Sequence, residues 1–278
     1  PMGSELRITA PAKRRESLQT QKYEIADLAG KDAAAGSVLV EWVKALVSPE
    51  NWREAGGQGS AEFAGGTLTV TQNDLVQAQV RDFLDRLRIA RGKSPQARPD
   101  IPPRQNPTRL DLARAKLAQR ITLNISDPAP LQQVAGDLER VSQTTILFDG
   151  PAMHAAGVSR QRKTALSIRE QPVSAALVSM LHPLGLTYRI VDAATFEITT
   201  RKAAEARLEL EFYDAAKWLA KPMAPEAVME QVKSQVAGAT WNDAGGPGAM
   251  VFDKASGCLL VLQSQPVQVK VQLFLAKP

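Results

Sequence analysis

Near the start of the chain, apolar and polar positions follow the periods of a strand, a helix, a hairpin and a second helix. A strand is predicted over Tyr23–Leu28. One face of the first helix carries apolar residues at helical spacing: Leu39, Trp42, Val43 and Leu46. Gly65-Gly66 separates two β-rich runs and is a hairpin signal. The last helix places five apolar residues on one side: Val76, Val80, Phe83, Leu84 and Leu87.

A different order is predicted from residue 120 onward. Ile121, Leu123 and Ile125 alternate with polar residues as in a half-buried strand, and Asp127 is predicted to cap a helix. That helix buries an apolar stripe: Leu131, Val134, Leu138 and Val141. Asp149-Gly150-Pro151 is a turn signal. The remaining elements are a second helix over 172–185 and strands over 145–148, 165–168, 187–191 and 196–199.

Residues 23–92 and 213–278, hereafter copy one and copy two, are two copies of one unit. Trp52 precedes Gly56-Gly57-Gln58-Gly59 at the spacing with which Trp241 precedes Gly245-Gly246-Pro247-Gly248. Other residue types recur in the same order in both copies: Tyr23 and Tyr213, Phe63 and Phe252, Gln72 and Gln263. Such duplication is typical of a modular scaffold whose faces meet neighbours.

The end of copy two gives two conflicting signals. Val267, Val269, Val271, Leu273 and Leu275 alternate strictly, which favours a strand. The match to copy one favours a helix, and we predict the helix because the duplication accounts for the whole unit.

These patterns predict an α+β protein of three small domains, two βαββα repeats flanking one βαββαββ domain. Residues 1–20 are expected to be a disordered lead-in that begins with a cloning scar, so we expect the natural N-terminus to be missing. The repeats occupy 21–92 and 201–278, and the middle domain occupies 110–200. Residues 93–109 form a proline-rich linker, because repeated proline favours extended backbone. We expect proteases to cut this linker first.

Composition narrows the function classes. The 278 residues are 44% hydrophobic and 23% charged, which is ordinary for a globular protein, and no apolar run is long enough for a membrane helix. The single cysteine, Cys258, rules out an intramolecular disulfide and a cysteine-cluster metal site. The net charge of +5 is concentrated in 13–15 and 91–120, which favours solubility and linker chemistry over a nucleic-acid patch.

The middle domain resembles the short N-terminal domain shared by secretins and TonB-dependent receptors. The resemblance rests on pattern in six segments: 121–125, 130–138, 166–168, 172–177, 184–188 and 196–199. The flanking copies are similar to repeats that accompany this domain in cell-envelope proteins of planctomycete-type bacteria, and their element order resembles the ring-building domains of secretins. Within these residues there is no glycine-rich, amphipathic secretin barrel region, so pore formation cannot be inferred from the resemblance.

The resemblance implies a periplasmic or cell-envelope protein that contacts itself or another envelope protein. It implies no catalytic residue, no cofactor and no small-molecule substrate. One alternative is a signalling domain of the TonB-dependent receptor type, which would need a plug and barrel downstream.

A second alternative is nucleic-acid binding, because Gly56-Gly57-Gln58-Gly59 matches the GxxG that clamps the backbone in KH domains. It lies between a helix and a strand and has no basic residue after it. We therefore predict a structural turn that needs positive φ and close backbone approach, with Trp52 and Trp241 packed over the two turns as core caps.

His154 and His182 are the only histidines, and neither has a partner at the spacing of a metal site. No nucleophile elbow, phosphate loop or dinucleotide fingerprint occurs in the sequence. We therefore expect a protein that is not an enzyme.

Overall fold

A computed structural model describes residues 17–96, 106–219 and 223–277 of the chain. It mixes helices with several small sheets, so the predicted α+β class is confirmed. By contacts the chain divides into two compact units, Pro1–Asn106 with Ala249–Leu260, and Pro107–Gly248 with Val261–Pro278. The domain boundaries drawn from the sequence stay a prediction. The expected lead-in and linker lie mostly outside the described residues.

Copy one has the predicted order of strands and longer helices. Its elements are β1 (Gln19–Glu24), α1 (Ala26–Ala29), α2 (Ala33–Leu46), β2 (Ser60–Ala64), β3 (Thr67–Gln72) and α3 (Asp74–Ala90). The antiparallel sheet has the order β1-β3-β2. Gly65 and Gly66 join β2 to β3 with φ of 58° and 95°, a left-handed pair that suits a two-residue hairpin. All five apolar residues predicted for α3 are buried.

Two expectations for copy one are wrong in detail. The first strand is Gln19–Glu24 rather than Tyr23–Leu28, because Gln19 pairs with Gln72 at one end and the hairpin ends the pairing at the other. The chain then turns into α1. Trp42 is only half-buried, whereas the other three residues of the predicted stripe of α2 are in the core.

The middle of the chain forms two sheets around buried helices. Its elements are α4 (Arg109–Ala118), β4 (Arg120–Pro130), α5 (Leu131–Ser142), β5 (Thr145–Phe148), α6 (Gly150–Ala155), β6 (Lys163–Pro172), α7 (Val173–Leu181), β7 (Leu186–Ile190) and β8 (Thr195–Thr200). β4 and β6 form an antiparallel ribbon, while a second sheet has the order β5-β8-β7. The stripes of α5 and α7 share one core with Phe196 and Ile198.

The predicted cap of α5 is wrong. Asp127 lies in β4, which pairs with β6 as far as Pro130, and α5 begins only at Leu131 with no side-chain cap. Backbone carbonyls cap it instead, since Leu131 and Gln132 donate to the loop carbonyls of Arg162 and Arg160 at 2.9 and 3.0 Å.

Two short helices between residues 149 and 207 were not predicted. Asp149-Gly150-Pro151, expected to be only a turn, begins α6, and the Asp149 carboxylate accepts from the Ala152 amide at 3.1 Å. An aspartate before proline suits a helix start as well as a turn. The second is α8 (Arg201–Ala206), capped by the Thr200 hydroxyl.

Copy two again has the predicted order. Its elements are β9 (Leu208–Asp214), α9 (Ala216–Leu219), α10 (Pro225–Gln235), β10 (Ala249–Asp253), β11 (Cys258–Ser264) and α11 (Gln265–Leu275). The sheet order is β10-β11-β9. The last element is a helix, as the duplication predicted and the alternation did not. In the described part of the chain, no helix has the length and apolar character needed to cross a bilayer.

Candidate functional site

The tryptophan turn of copy one is a closed, buried structure. Trp52 is 1% exposed, and its Nε1 donates to the carbonyl of Val47 at 2.8 Å. The amide of Gly57 donates back to the Trp52 carbonyl at 2.9 Å, and the amide of Gly59 donates to Asn51 at the same distance. The indole therefore covers the turn from the core side, as predicted.

The glycines of this turn are required by space and by backbone angle. Gly56 has a φ of 87°, in the left-handed region. A Cβ on Gly57 would lie 2.2 Å from the carbonyl carbon of Asn51, and one on Gly59 would lie 1.8 Å from Nε2 of Gln72. That Gln72 amide donates to the Asn51 carbonyl at 2.8 Å, so the turn and β3 are locked together.

Copy two repeats this construction. Trp241, also 1% exposed, donates from Nε1 to the Val236 carbonyl at 2.7 Å. Gly245 has a φ of 82°, and a Cβ on Gly246 would again lie 2.2 Å from a carbonyl carbon. Gln263 donates to the Thr240 carbonyl at 3.1 Å, as Gln72 does to Asn51. The two turns thus share these backbone angles, close contacts and bonds.

A second framework feature, which the sequence interpretation missed, joins a tyrosine to a buried glutamine. The Tyr23 hydroxyl donates to Oε1 of Gln77 at 2.7 Å, and the Gln77 amide donates to the carbonyls of Gln19 and Val70. Burial raises the pKa of Tyr23, although Arg81 opposes this, so the hydroxyl stays protonated and can donate.

Copy two has the same arrangement. The Tyr213 hydroxyl donates to Oε1 of Gln268 at 2.8 Å, and Gln268 donates to the carbonyls of Glu209 and Val261. The signal was in the sequence, because a glutamine stands five residues after Gln72 and five after Gln263.

These contacts do not favour the KH interpretation of the glycine loops. Gly57 and Gly59 face backbone and side-chain atoms of the same copy, and only Gln58 between them is exposed. A phosphate clamp needs the backbone of its loop accessible to the ligand. The predicted structural turn is what the geometry supports.

The outward faces of the last helices differ between the copies. On α11, Val269 is 36% exposed and Leu273 is 58% exposed, while the helix buries Val267, Val271 and Leu275. Matching Gln268 to Gln77 places Ala78 and Asp82 of α3 at the positions of Val269 and Leu273. We call Val269 and Leu273 the α11 stripe. Because the shared fold does not need apolar residues there, the stripe is a candidate contact surface.

The outer strands of the β5-β8-β7 sheet are poorer candidates for strand addition. On β7, the Ile190 amide donates to Oε1 of Gln265 at 2.8 Å. On β5, the Ile146 amide donates to Oε1 of Glu139 at 2.5 Å. A backbone group bonded to a side chain of its own chain is not available to an added strand.

A buried charge network holds Gln265 in place. Nη1 of Arg189 contacts Oε1 of Glu209 at 2.6 Å, its Nε contacts Glu197 at 2.5 Å, and Gln265 donates to Glu209 at 2.7 Å. A buried ion pair offsets the cost of removing its charges from water only when its geometry is good and its remaining hydrogen bonds are satisfied. Its members are far apart in sequence, so no local pattern indicated it.

The histidines do not come together. His154 lies on α6 and His182 in the turn after α7, both exposed. Cys258 is half-buried at the start of β11. Within 17–96, 106–219 and 223–277, no group of three or more histidine, cysteine and acidic side chains could hold a metal ion.

No family model and no curated protein matches the chain. Solved structures similar to it include one titled XcpQN012, at 14% identity and a TM-score of 0.21, and the N-terminal domain of the secretin XcpQ from Pseudomonas aeruginosa, at 10% and 0.22. The GspC-GspD complex of the type II secretion system from enterotoxigenic Escherichia coli is a third, at 14% and 0.21.

Each of these alignments covers 57% of this chain and, in the same order, 65%, 64% and 98% of the other. The chain therefore spans just under two thirds of the first two structures. At these TM-scores the alignments establish no common fold, and the architecture rests on the strands and helices described above.

Proposed function

We propose that this chain is a non-enzymatic module for protein–protein contact and assembly in the cell envelope, related to the periplasmic domains of secretins. The observation that carries the proposal is the duplicated framework, in which tryptophan, glycines, glutamines and tyrosine make the same bonds twice. The residues that recur between the copies make their bonds within their own copy and stabilise it. A repeated unit of this kind offers its remaining surface to neighbours.

The α11 stripe is the surface that we assign to such a contact. The partner is a second copy of this chain or another envelope protein. Val269 and Leu273 lie on the side of α11 opposite Val267, Val271 and Leu275, so a partner can cover them without disturbing the core. Covering them would remove their apolar surface from water, which favours association.

The envelope location and the domain boundaries 21–92, 110–200 and 201–278 belong to the same hypothesis. Their support is the resemblance of the middle domain and the repetition on either side of it. The linker over 93–109 would then separate copy one from the rest.

Size-exclusion chromatography with multi-angle scattering tests self-assembly. At loading concentrations from about 1 to about 200 μM, which cover contacts of micromolar strength, we expect the mass to rise above the 30.1 kDa of one chain. Leu273→Asp should return it to the monomer value. Leu75→Asp is the matched control, since Leu75 is a 60% exposed leucine on α3 of the other copy.

A wild-type mass of 30.1 kDa at every concentration would contradict self-assembly. Contact with a different envelope protein would then be the remaining form of the proposal. Equal loss of assembly in Leu75→Asp and Leu273→Asp would mean that the α11 stripe is not the specific surface.

A further inference from the structure

A cavity lies beside α6 in the middle domain. It has a volume of about 340 Å³ and is formed within one segment, residues 150–160. Its apolar walls come from Met153 and Val158, with Gly150 and Gly157 leaving room between them. His154, Ser159 and Arg160 supply its polar rim. Small pockets that bind ligands have this combination of apolar walls and few polar groups.

The wall of the cavity is fixed by backbone bonds. The Val158 amide donates to the Met153 carbonyl at 2.9 Å, which ties the loop to α6. The carbonyls of Arg160 and Arg162 accept from the first two amides of α5, which ties the loop to a buried helix. A ligand would therefore meet a preformed site and would not need to order it.

Arg160 is held at the mouth of this cavity. Its guanidinium carbon lies 4.8 Å from the centroid of the Phe148 ring, within cation–π range. A Cβ built on Gly150 would lie 4.0 Å from its Nη2, so the side chain extends back over the start of α6. Asp149, just before α6, is engaged with Ala152 and Thr199.

Within the part of the chain that the structure describes, the cations of this loop have no acidic partners. Among the described residues, no carboxylate pairs with Arg160, Arg162 or Lys163, whereas Arg189 of the buried network pairs with two. A planar guanidinium fixed by an aromatic ring is well suited to grip a carboxylate through two parallel bonds.

From these contacts we infer that the cavity binds the carboxyl terminus of a polypeptide whose last side chain is apolar. The terminal carboxylate pairs with Arg160, and the last side chain enters between Met153 and Val158. Within a polypeptide, only the last residue carries a carboxylate and an apolar side chain on one Cα, which the small span of the cavity requires. This inference rests on the proposed function, because it supplies the chemistry of one partner.

Titration of the full chain by ¹⁵N–¹H correlation spectroscopy tests it, with N-acetyl-Gly-Gly-Leu as the free acid. We expect amide shifts at Gly157, Val158 and Arg160 with saturation at or below about 10 mM. The same peptide as a carboxamide, and N-acetyl-Gly-Glu-Gly-amide, should bind at least about tenfold more weakly, because each lacks a terminal carboxylate.

Arg160→Met should weaken binding about tenfold or more, and Arg162→Met, the matched control two residues away, should leave it within about twofold. No shift at any amide, equal binding of the carboxamide or the internal glutamate, or full affinity in Arg160→Met would each overturn the inference. These outcomes are separate from the proposed function, since assembly through Leu273 is measured without the peptide and should persist in Arg160→Met.

Discussion

Copies one and two share their buried framework and differ in their loops and exposed surfaces. Their tryptophan turns and tyrosine–glutamine pairs share the bonds described above, yet their hairpins differ. Copy one turns on Gly65-Gly66, whereas copy two uses a longer loop in which the Asp253 carboxylate accepts from Arg91 at 2.9 Å and from Ser256 at 2.7 Å. Recurring residues therefore specify the fold, and residues that differ are free to specify loops and contacts.

The helix starts differ in the same way. Asp32 caps α2 by accepting from the amides of Ala34 and Ala35, while α10 begins after Ala224 with Pro225 and no side-chain cap. Two sequences thus reach one fold with different local devices, because the buried framework dominates.

The largest expected effect tests whether the two turns are equivalent. Trp52→Ala and Trp241→Ala should each cost about 3–5 kcal/mol of unfolding free energy, the range for a buried aromatic cut to alanine. Trp42→Ala, at a half-buried site, is the control and should cost less. Chemical unfolding followed by circular dichroism gives the values. A large loss in only one of the two variants would break the equivalence of the copies.

The next effect concerns the buried glutamines. Gln77→Ala and Gln268→Ala each remove two donated bonds and one accepted bond, so we expect a loss of about 1–3 kcal/mol. Gln133→Ala, on the exposed face of α5, should change stability little. Thermal unfolding of the three variants measures these losses. If Gln77→Ala and Gln268→Ala lose no more stability than Gln133→Ala, the tyrosine–glutamine pairs do not stabilise the copies.

Acid should weaken copy two through a group that copy one lacks. Burial opposes ionisation of Asp253, but hydrogen bonds from Arg91 and Ser256 outweigh it and hold the pKa of Asp253 below 3.8. A lowered carboxyl pKa stabilises the fold above 3.8 and loses this contribution as pH falls through the folded value.

The thermal midpoint of Asp253→Asn should therefore fall furthest below that of the parent at pH 7. The difference should shrink as pH drops below 3.8. A gap of constant size from pH 7 to pH 3 would mean that the carboxylate charge is not what matters.

The smallest effect on stability is expected at the α11 stripe. Leu273→Asp should change the unfolding free energy by no more than about 0.5 kcal/mol, as exposed substitutions do. Val271→Asp, two residues away but fully buried, should destabilise severely. In a strand both side chains would share one face, so similar losses in the two variants would count against the helix.

Periodicity and repetition together predicted most of the elements. The helix α11 shows why both were needed, because the alternation over 267–275 alone indicates a strand. In the helix, Val267, Val271 and Leu275 reach the core, and the other two alternating residues form the exposed stripe. The two exposed apolar residues, alternating with the three buried ones, gave the sequence the period of a strand.

The predictions from sequence failed where residues distant in the chain determine the local structure. Asp127 and Pro128 look like a helix start, but pairing of β4 with β6 extends the strand past them. The Arg189–Glu209 pair also depends on long-range packing, which no local window contains. Gln77 and Gln268 could have been found, since their spacing from Gln72 and Gln263 repeats.

The identical bonding of the two tryptophan turns also bears on how the chain reaches its native state. Because the two frameworks use the same kinds of bond, we expect a strand of copy one to be able to bond the glutamine of copy two, so that the copies compete for partners while the chain is unfolded. During synthesis, copy one closes before copy two has emerged, and the competition does not arise. Refolding from denaturant exposes both copies at once, and we expect a slow phase there from chains that must release an exchanged strand before they can finish.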